Sequence, residues 1–216
     1  MGKPKIIVFA SGKRSGGGSG FENLVAATKT GVLDADIVAV VSNHERGEVH
    51  ERAMQLGLPF VYFPEPYDAE HYKKIVTDSG AEWVALSGWL RQVKGLDPAK
   101  TFNIHPALLS QLGGKFGGHG MYGSHIHEAV KTALDAGEII ESGFTMHFVT
   151  DEMDRGPAFF EKRVPLKQGM TAEGIGKAVN DAEHEWQPRI TNMVVHGEIA
   201  WDGTNPASLV VPPDLK

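Results

Sequence analysis

The sequence predicts an α/β protein built on a doubly wound, mostly parallel, Rossmann-like sheet with helices on both faces. Three observations predict it. Short, continuous Val/Ile/Leu/Ala runs alternate with helix-patterned segments through the first hundred residues, the mark of strands buried on both faces. A glycine-rich stretch follows the first such run directly. Polar residues stand at the end of a later run, where open α/β sheets place their ligands.

Taken in order, Lys5–Ala10 (KIIVFA) reads as the first strand, ended by Ser11-Gly12, and Phe21–Thr30 reads as a helix. Asp36–Val41 (DIVAVV) is the second strand and is followed by a helical stretch near Val49–Leu56. Pro59–Phe63 is a third, short strand, and Ala69–Asp78 a helix. Glu82–Ser87 and Thr101–His105 supply the fourth and fifth strands. The right-handed crossover rule makes such a series doubly wound. Beyond it the pattern changes. Ser142–Thr150 alternates, and Ala158–Leu166 follows a turn-rich DEMDRGP, which suggests longer, twisted strands joined by a functional loop. A long helix is expected from about Thr171 to Met193, and residues 206–216, with three prolines, as a wrapped or frayed tail.

The length of 216 residues favours one domain over two. With 41% hydrophobic and 22% charged residues the chain can bury a real core. It holds no cysteine, which removes disulfides, thiolate metal sites and cysteine nucleophiles. A formal charge of −6 argues against a nucleic-acid partner, though not against a small anion. The N-terminal apolar run is too short for a signal peptide, and no window approaches the roughly 18 apolar residues of a membrane span. The expectation is a cytoplasmic protein.

Much of the glycine lies at 12–20 and 113–123, so both stretches are expected to be loops. The first, Ser11 to Gly20, sits at the strand-to-helix turn where doubly wound sheets bind phosphate. Glycines admit close backbone approach there, and the helix N-terminus offers free N–H groups. Ser15 or Ser19 would add a hydroxyl, and Lys13 or Arg14 a charge. A flexible, glycine-rich surface loop is the alternative.

Thr101-Phe-Asn-Ile-His-Pro106 is the most informative short stretch. Strand residues two apart share a face, so Asn103 and His105 project together, and Pro106 ends the strand. An amide donor beside an imidazole suits a developing oxyanion; a capped strand end with a hydrogen-bonded histidine is the alternative. The loop Thr150–Pro157 carries Asp151, Glu152 and Asp154, any of which could orient His105 or accept a proton, with His147 as a supporting member. A solvated acidic turn would read the same way. His119, His125 and His127 also cluster, but among glycines and without a helix-spaced pair, so no metal site is expected.

Together these pieces resemble the folate-dependent formyltransferase superfamily, and within it the glycinamide ribonucleotide formyltransferases. The resemblance runs from about Lys5 to His196. It is carried by Asn103-Ile-His-Pro-Ala-Leu-Leu109 and His147-Phe-Val-Thr-Asp-Glu-Met-Asp-Arg-Gly-Pro157, with support from Ser87-Gly-Trp-Leu-Arg91 and Asn180-Asp-Ala-Glu-His184. It implies a formyltransferase fold over 1–205, with a phosphate-binding half at 1–100 and a folate and catalytic half at 101–205. It implies a catalytic trio of Asn103, His105 and Asp154, supported by His147 and Asp151. It places the substrate phosphate on Gly18, Ser19 and Gly20, and the ribose or glycine end on Glu183 and Asn180. The folate would lie near Leu90, Arg91, Gln92 and Val93, with Asn103 facing its formyl group; Trp89 reads as core.

The implied reaction moves a formyl group from 10-formyltetrahydrofolate, a co-substrate, to the amine of glycinamide ribonucleotide, without a metal. Asn103 and protonated His105 would hold the oxyanion while Asp154 favours the imidazolium and helps move the proton. Four positions depart from the family pattern: Gly20 stands for an Asn, Ser110 for a Pro, Arg155 for a small residue, and the 111–123 loop is longer. Formyltransferases of tRNA and formylfolate hydrolases carry further domains not expected here. A formyltransferase acting on another amine, such as an amino-sugar nucleotide, and a non-catalytic folate- or nucleotide-binding protein are the other readings.

Overall fold

The computed structural model describes residues 2–12 and 17–215. Its centre is a seven-stranded sheet of order β3-β2-β1-β4-β5-β6-β7. The strands are β1 (Lys5–Phe9), β2 (Asp36–Ser42), β3 (Phe60–Tyr62), β4 (Trp83–Ser87), β5 (Thr101–His105), β6 (Glu141–Phe148) and β7 (Ala158–Pro165). The helices are α1 (Ser19–Thr30), α2 (Glu48–Leu56), α3 (Ala69–Ser79), α4 (Ser124–Asp135) and α5 (Ala172–Val195). The first five strands are parallel, while β6 runs antiparallel to both β5 and β7. The expected doubly wound, mostly parallel sheet is therefore present, with an antiparallel pair closing one side.

Alternation along β1 explains why its run is continuously apolar. Ile6 and Val8 enter one core with α1, α2, α4 and α5, whereas Ile7 and Phe9 enter a second core on the opposite face with Tyr72 of α3. Local signals set the helix ends. Asp68 accepts from the His71 N–H at 3.0 Å, and Thr171 accepts from Gly174 at 3.1 Å. Gly31 ends α1 in the left-handed conformation that suits glycine.

One expectation needs correcting, and two further segments are defined. Ser19 and Gly20 open α1 and are not loop. Gly20 has a packing reason to be glycine, since a Cβ there would collide with Ser87 Oγ at the end of β4. The segment after Gly123 forms α4, whose Ile126, Val130, Ala133 and Leu134 are buried at helical spacing. The C-terminal residues wrap: Val210 bridges Ala200, and Leu209, Val211 and Leu215 pack on the core.

The second core reaches no further than β4. Phe102 and Ile104 of β5 and Phe144, Met146 and Phe148 of β6 all face the first core. The alternate positions, Thr101, Asn103 and His105 with Thr145 and His147, share the other face. Cross-strand register sets Asn103 opposite His147 and His105 opposite Thr145. A polar patch thus replaces apolar core at the carboxyl end of β5.

Candidate active site

Buried polar groups must be hydrogen-bonded or carry a cost, and the partners here define the site. His105 is only 4% exposed, and its Nε2 lies 2.6 Å from the Phe116 carbonyl. A carbonyl can only accept, so Nε2 carries the hydrogen. His147 is also buried, and by the same reasoning its Nδ1 donates to the Phe148 carbonyl at 2.8 Å. Its Nε2 is left to accept from Asn103 Nδ2 at 3.1 Å. Thr145 Oγ1 lies 2.8 Å from the Ala107 carbonyl and accepts from the Leu109 N–H, holding the chain after Pro106 against β6.

Asp154 closes the cluster. Its Oδ2 stands 3.6 Å from His105 Nδ1 and its Oδ1 3.6 Å from His147 Nε2. Both distances exceed a hydrogen bond, as expected when neither facing nitrogen holds a hydrogen. The Gly118 N–H donates to Oδ2 at 2.9 Å. Asp154 adopts φ 54°, the left-handed region that a non-glycine residue enters at a cost. Gly156 follows because a Cβ there would collide with the Phe148 carbonyl.

Burial pushes the His105 imidazole pKa down; the Asp154 charge works against that and does not overcome it. Burial also acts to raise the Asp154 carboxyl, but His147 and His105, which favour the carboxylate when protonated, and the Gly118 N–H outweigh it and hold the pKa below the usual carboxylate value. Both directions favour a carboxylate beside a neutral imidazole, and the His105 Nε2–H is given to the Phe116 carbonyl.

The expected phosphate site is the start of α1. Gly18, at φ 82°, caps that helix without a side-chain hydrogen bond, so its first N–H groups are free of an internal cap. Lys13, Arg14 and Ser15 lie outside the described residues. Gln187 of α5, not anticipated from the sequence, is buried and donates to Ser87 Oγ at 3.2 Å. Four residues before it, one helical turn away, the Glu183 carboxyl is half-buried with Asn180 Nδ2 3.3 Å away. Burial raises its pKa to about 7, the neighbouring amide opposing.

The four expected folate residues separate. Val93 is buried and lines an open cleft of about 460 Å³ with Leu96, Thr101, Val149, Asp151 and Glu152. Thr101 is the neighbour of Asn103 on the same face of β5, so this cleft adjoins the polar cluster. Asp151 therefore lines the cleft and does not join the histidines. Leu90 is exposed, its N–H held by Ser11 Oγ at 2.8 Å. The Arg91 guanidinium lies 5.1 Å from the Tyr67 ring centroid, and the Gln92 side chain donates to the Asp151 carbonyl at 2.9 Å. Trp89 is core, as expected, with its Nε1 on Tyr72 Oη at 2.8 Å. His125 meets Tyr122 and His127 packs on Gly176 of α5. Among the described residues no group of three His, Asp or Glu side chains is gathered to hold a metal ion, and no helix is long and apolar enough to cross a membrane.

A parallel sheet with a histidine, asparagine and aspartate cluster at its carboxyl edge is the scaffold of a group-transfer enzyme. The family model described as formyl transferase matches residues 4–191, and the chain belongs to that family. The chain is 31% identical to the chloroplastic phosphoribosylglycinamide formyltransferase of Arabidopsis thaliana, over 92% of this chain and 68% of that one. It is 29% identical to the phosphoribosylglycinamide formyltransferase of Bacillus subtilis, over 88% of this chain and 94% of that protein. The crystal structure of glycinamide ribonucleotide transformylase 1 from Geobacillus kaustophilus superposes with a TM-score of 0.75 at 26% identity, over 89% of this chain and 99% of that one.

Proposed function

We propose that this protein transfers the formyl group of 10-formyltetrahydrofolate to the primary amine of glycinamide ribonucleotide, a step of purine synthesis. The observation that carries it is the convergence of Asn103, His105, His147 and Asp154 beside an open cleft, at the carboxyl edge of the sheet. Family membership and the names of the relatives supply the substrates. Residues 1–205 are read as one domain, with 1–100 providing the phosphate turn and 101–205 the catalytic strand and loop.

In this reading the amine attacks the formyl carbon, and the bond from that carbon to N10 of the folate breaks. The carbonyl oxygen gains charge in between, and the Asn103 amide is placed to donate to it. The attacking nitrogen sheds a proton and N10 gains one. Asp154 sits between two ring nitrogens that lack hydrogens, so a proton arriving there relieves lone pairs facing a carboxylate. The cluster is suited to take the proton from the amine and return it to N10. In this reading the imidazolium is transient. An α-amino group, with a pKa of about 8, is about one-tenth neutral at pH 7, so a nucleophilic fraction is present without prior activation.

The cleft offers apolar walls from Val93, Leu96 and Val149, and carboxylates from Asp151 and Glu152 for the amino edge of a pterin. The free N–H groups at the start of α1 suit the phosphate, and Glu183 with Asn180 the ribose or glycine end. The test is a spectrophotometric assay with 10-formyltetrahydrofolate, with and without glycinamide ribonucleotide. Deformylation that requires the ribonucleotide supports the reading. Deformylation without it makes the protein a hydrolase, and activity only with an amino-sugar nucleotide reassigns the acceptor.

A further inference from the structure

We infer that Gln92 is a positioning residue, whose side chain ties the Asp154 loop across the mouth of the folate cleft and sets the cleft's width. The inference rests on the formyl-transfer reading and assigns to a side chain a task that reading does not contain. The cleft has two walls. One is the segment from Val93 to Pro98, the other Val149 to Glu152. Gln92 stands next to the first wall, and its Nε2 donates to the Asp151 carbonyl in the second at 2.9 Å.

The anchor on the near side is rigid. Tyr72 is fully buried, and its hydroxyl donates to the Gln92 carbonyl at 3.1 Å while accepting from Trp89 Nε1 at 2.8 Å. Trp89 and Tyr72 pack with Phe9 and Phe63 in the second core. The backbone of Gln92 is thereby fixed to the core, and its side chain reaches outward from a firm base.

On the far side the Val149 N–H bonds the Thr101 carbonyl and Asp154 accepts from Gly118, each at 2.9 Å, while the stretch between them is held mainly by local bonds. Within the loop, the Thr150 hydroxyl bonds only its neighbour Glu152, at 3.2 Å to the carbonyl and 3.3 Å from the N–H. The Arg155 N–H reaches the Glu152 carbonyl at 3.4 Å, and the Phe148 N–H bonds Pro157 at the root. Asp154 meanwhile holds an unfavourable φ of 54°. Among the described residues, Gln92 provides the side-chain hydrogen bond that joins this loop's backbone to the β4 side of the sheet. A ligand in the cleft touches both walls, so one bond connects folate fit with the placement of the proton-handling carboxylate.

The test compares Gln92→Met, which keeps the shape and loses the donor, with Gln92→Lys, which restores a donor of similar reach. Hydrogen exchange of the 150–156 amides in the free protein reads the tie without any chemistry. Gln92→Met is expected to exchange about five- to tenfold faster there, the size of one neutral hydrogen bond, with α3 and β4 unchanged. Its KM for 10-formyltetrahydrofolate rises and its kcat falls, while the KM for glycinamide ribonucleotide holds, and Gln92→Lys recovers part of each. Unchanged exchange in Gln92→Met overturns the inference. So does faster exchange with both folate constants unaltered in an active enzyme. Faster exchange in a chain whose wild type transfers no formyl group leaves the tie standing and removes the reading beneath it.

Discussion

Asp154 faces His105 across 3.6 Å with no hydrogen between them, because the other nitrogen of that ring is spent on the Phe116 carbonyl at 2.6 Å. The pair is thus a vacancy for one proton, enclosed on the His105 side by a nearly inaccessible ring. Burial works against a proton on this ring, and the facing Asp154 carboxylate works to stabilise one when an attacking amine supplies it.

Replacing Asp154 by Asn removes the charge that works to raise the His105 pKa, and burial is then opposed only by the hydrogen bond to the Phe116 carbonyl. Protonation of the cluster should therefore need a lower pH. Initial rates across a pH series should show the acid limb of kcat, where the cluster is already protonated and cannot accept, moving to lower pH in Asp154→Asn. A limb that stays in place would separate Asp154 from His105.

Asn103→Ala removes an amide donor of the polar cluster and strips His147 Nε2 of its hydrogen-bond partner. A lost oxyanion donor costs about 10²–10³ in rate, so kcat should fall by that order while both KM values change little. Steady-state kinetics decide it, and near-normal turnover would sink the assignment of Asn103.

Gly20→Ala should act on both fold and phosphate. The added methyl must displace Ser87 Oγ, which also holds Gln187, and overpacking of this kind costs about 1–3 kcal/mol. Urea unfolding should report that loss, and the KM for glycinamide ribonucleotide should rise as the first turn of α1 shifts.

Glu183 makes stability depend on pH. Its pKa rises from 4.5 in the unfolded chain to about 7 in the fold, so the native state binds more protons between those values. Its contribution is complete below 4.5 and is lost as pH climbs through 7, an effect of roughly 1–3 kcal/mol for a half-buried group. Unfolding midpoints at pH 5 and pH 8 should differ less in Glu183→Gln than in the wild type. Equal differences would mean the carboxyl is already ionised at pH 5.

Much of this site follows from a period of two. The same-face relation of Asn103 and His105 was legible in TFNIH, and the rule also identifies Thr145 as the partner of His147, a residue the sequence reading passed over. The strands of the first half were legible because both faces are buried and the runs are apolar without interruption. Helix α4 was hidden by its histidines and neighbouring glycines, although Ile126, Val130, Ala133 and Leu134 carry its period. The hydrogen bond at His105 Nε2 could not be read at all. It depends on Phe116 folding back from eleven residues further along, a tertiary event that leaves no local pattern. The packing constraint on Gly20 went unread for a similar reason, since Ser87 approaches it from a distant strand.

Helix α5 holds the two ends of the chain's work together: Gln187 reaches Ser87 across a hundred positions, and the His184 carbonyl accepts from Asn23 across 161. Such long-range closures form slowly, because loop entropy must be spent before the contact rewards it. During synthesis, the first five strands can therefore emerge and pair while the phosphate turn still lacks its far support and β5 still lacks its antiparallel neighbour. Competence for chemistry arrives only after residue 195 is free to dock, so a ribosome-bound precursor carries β5 and its histidine in an unfinished setting.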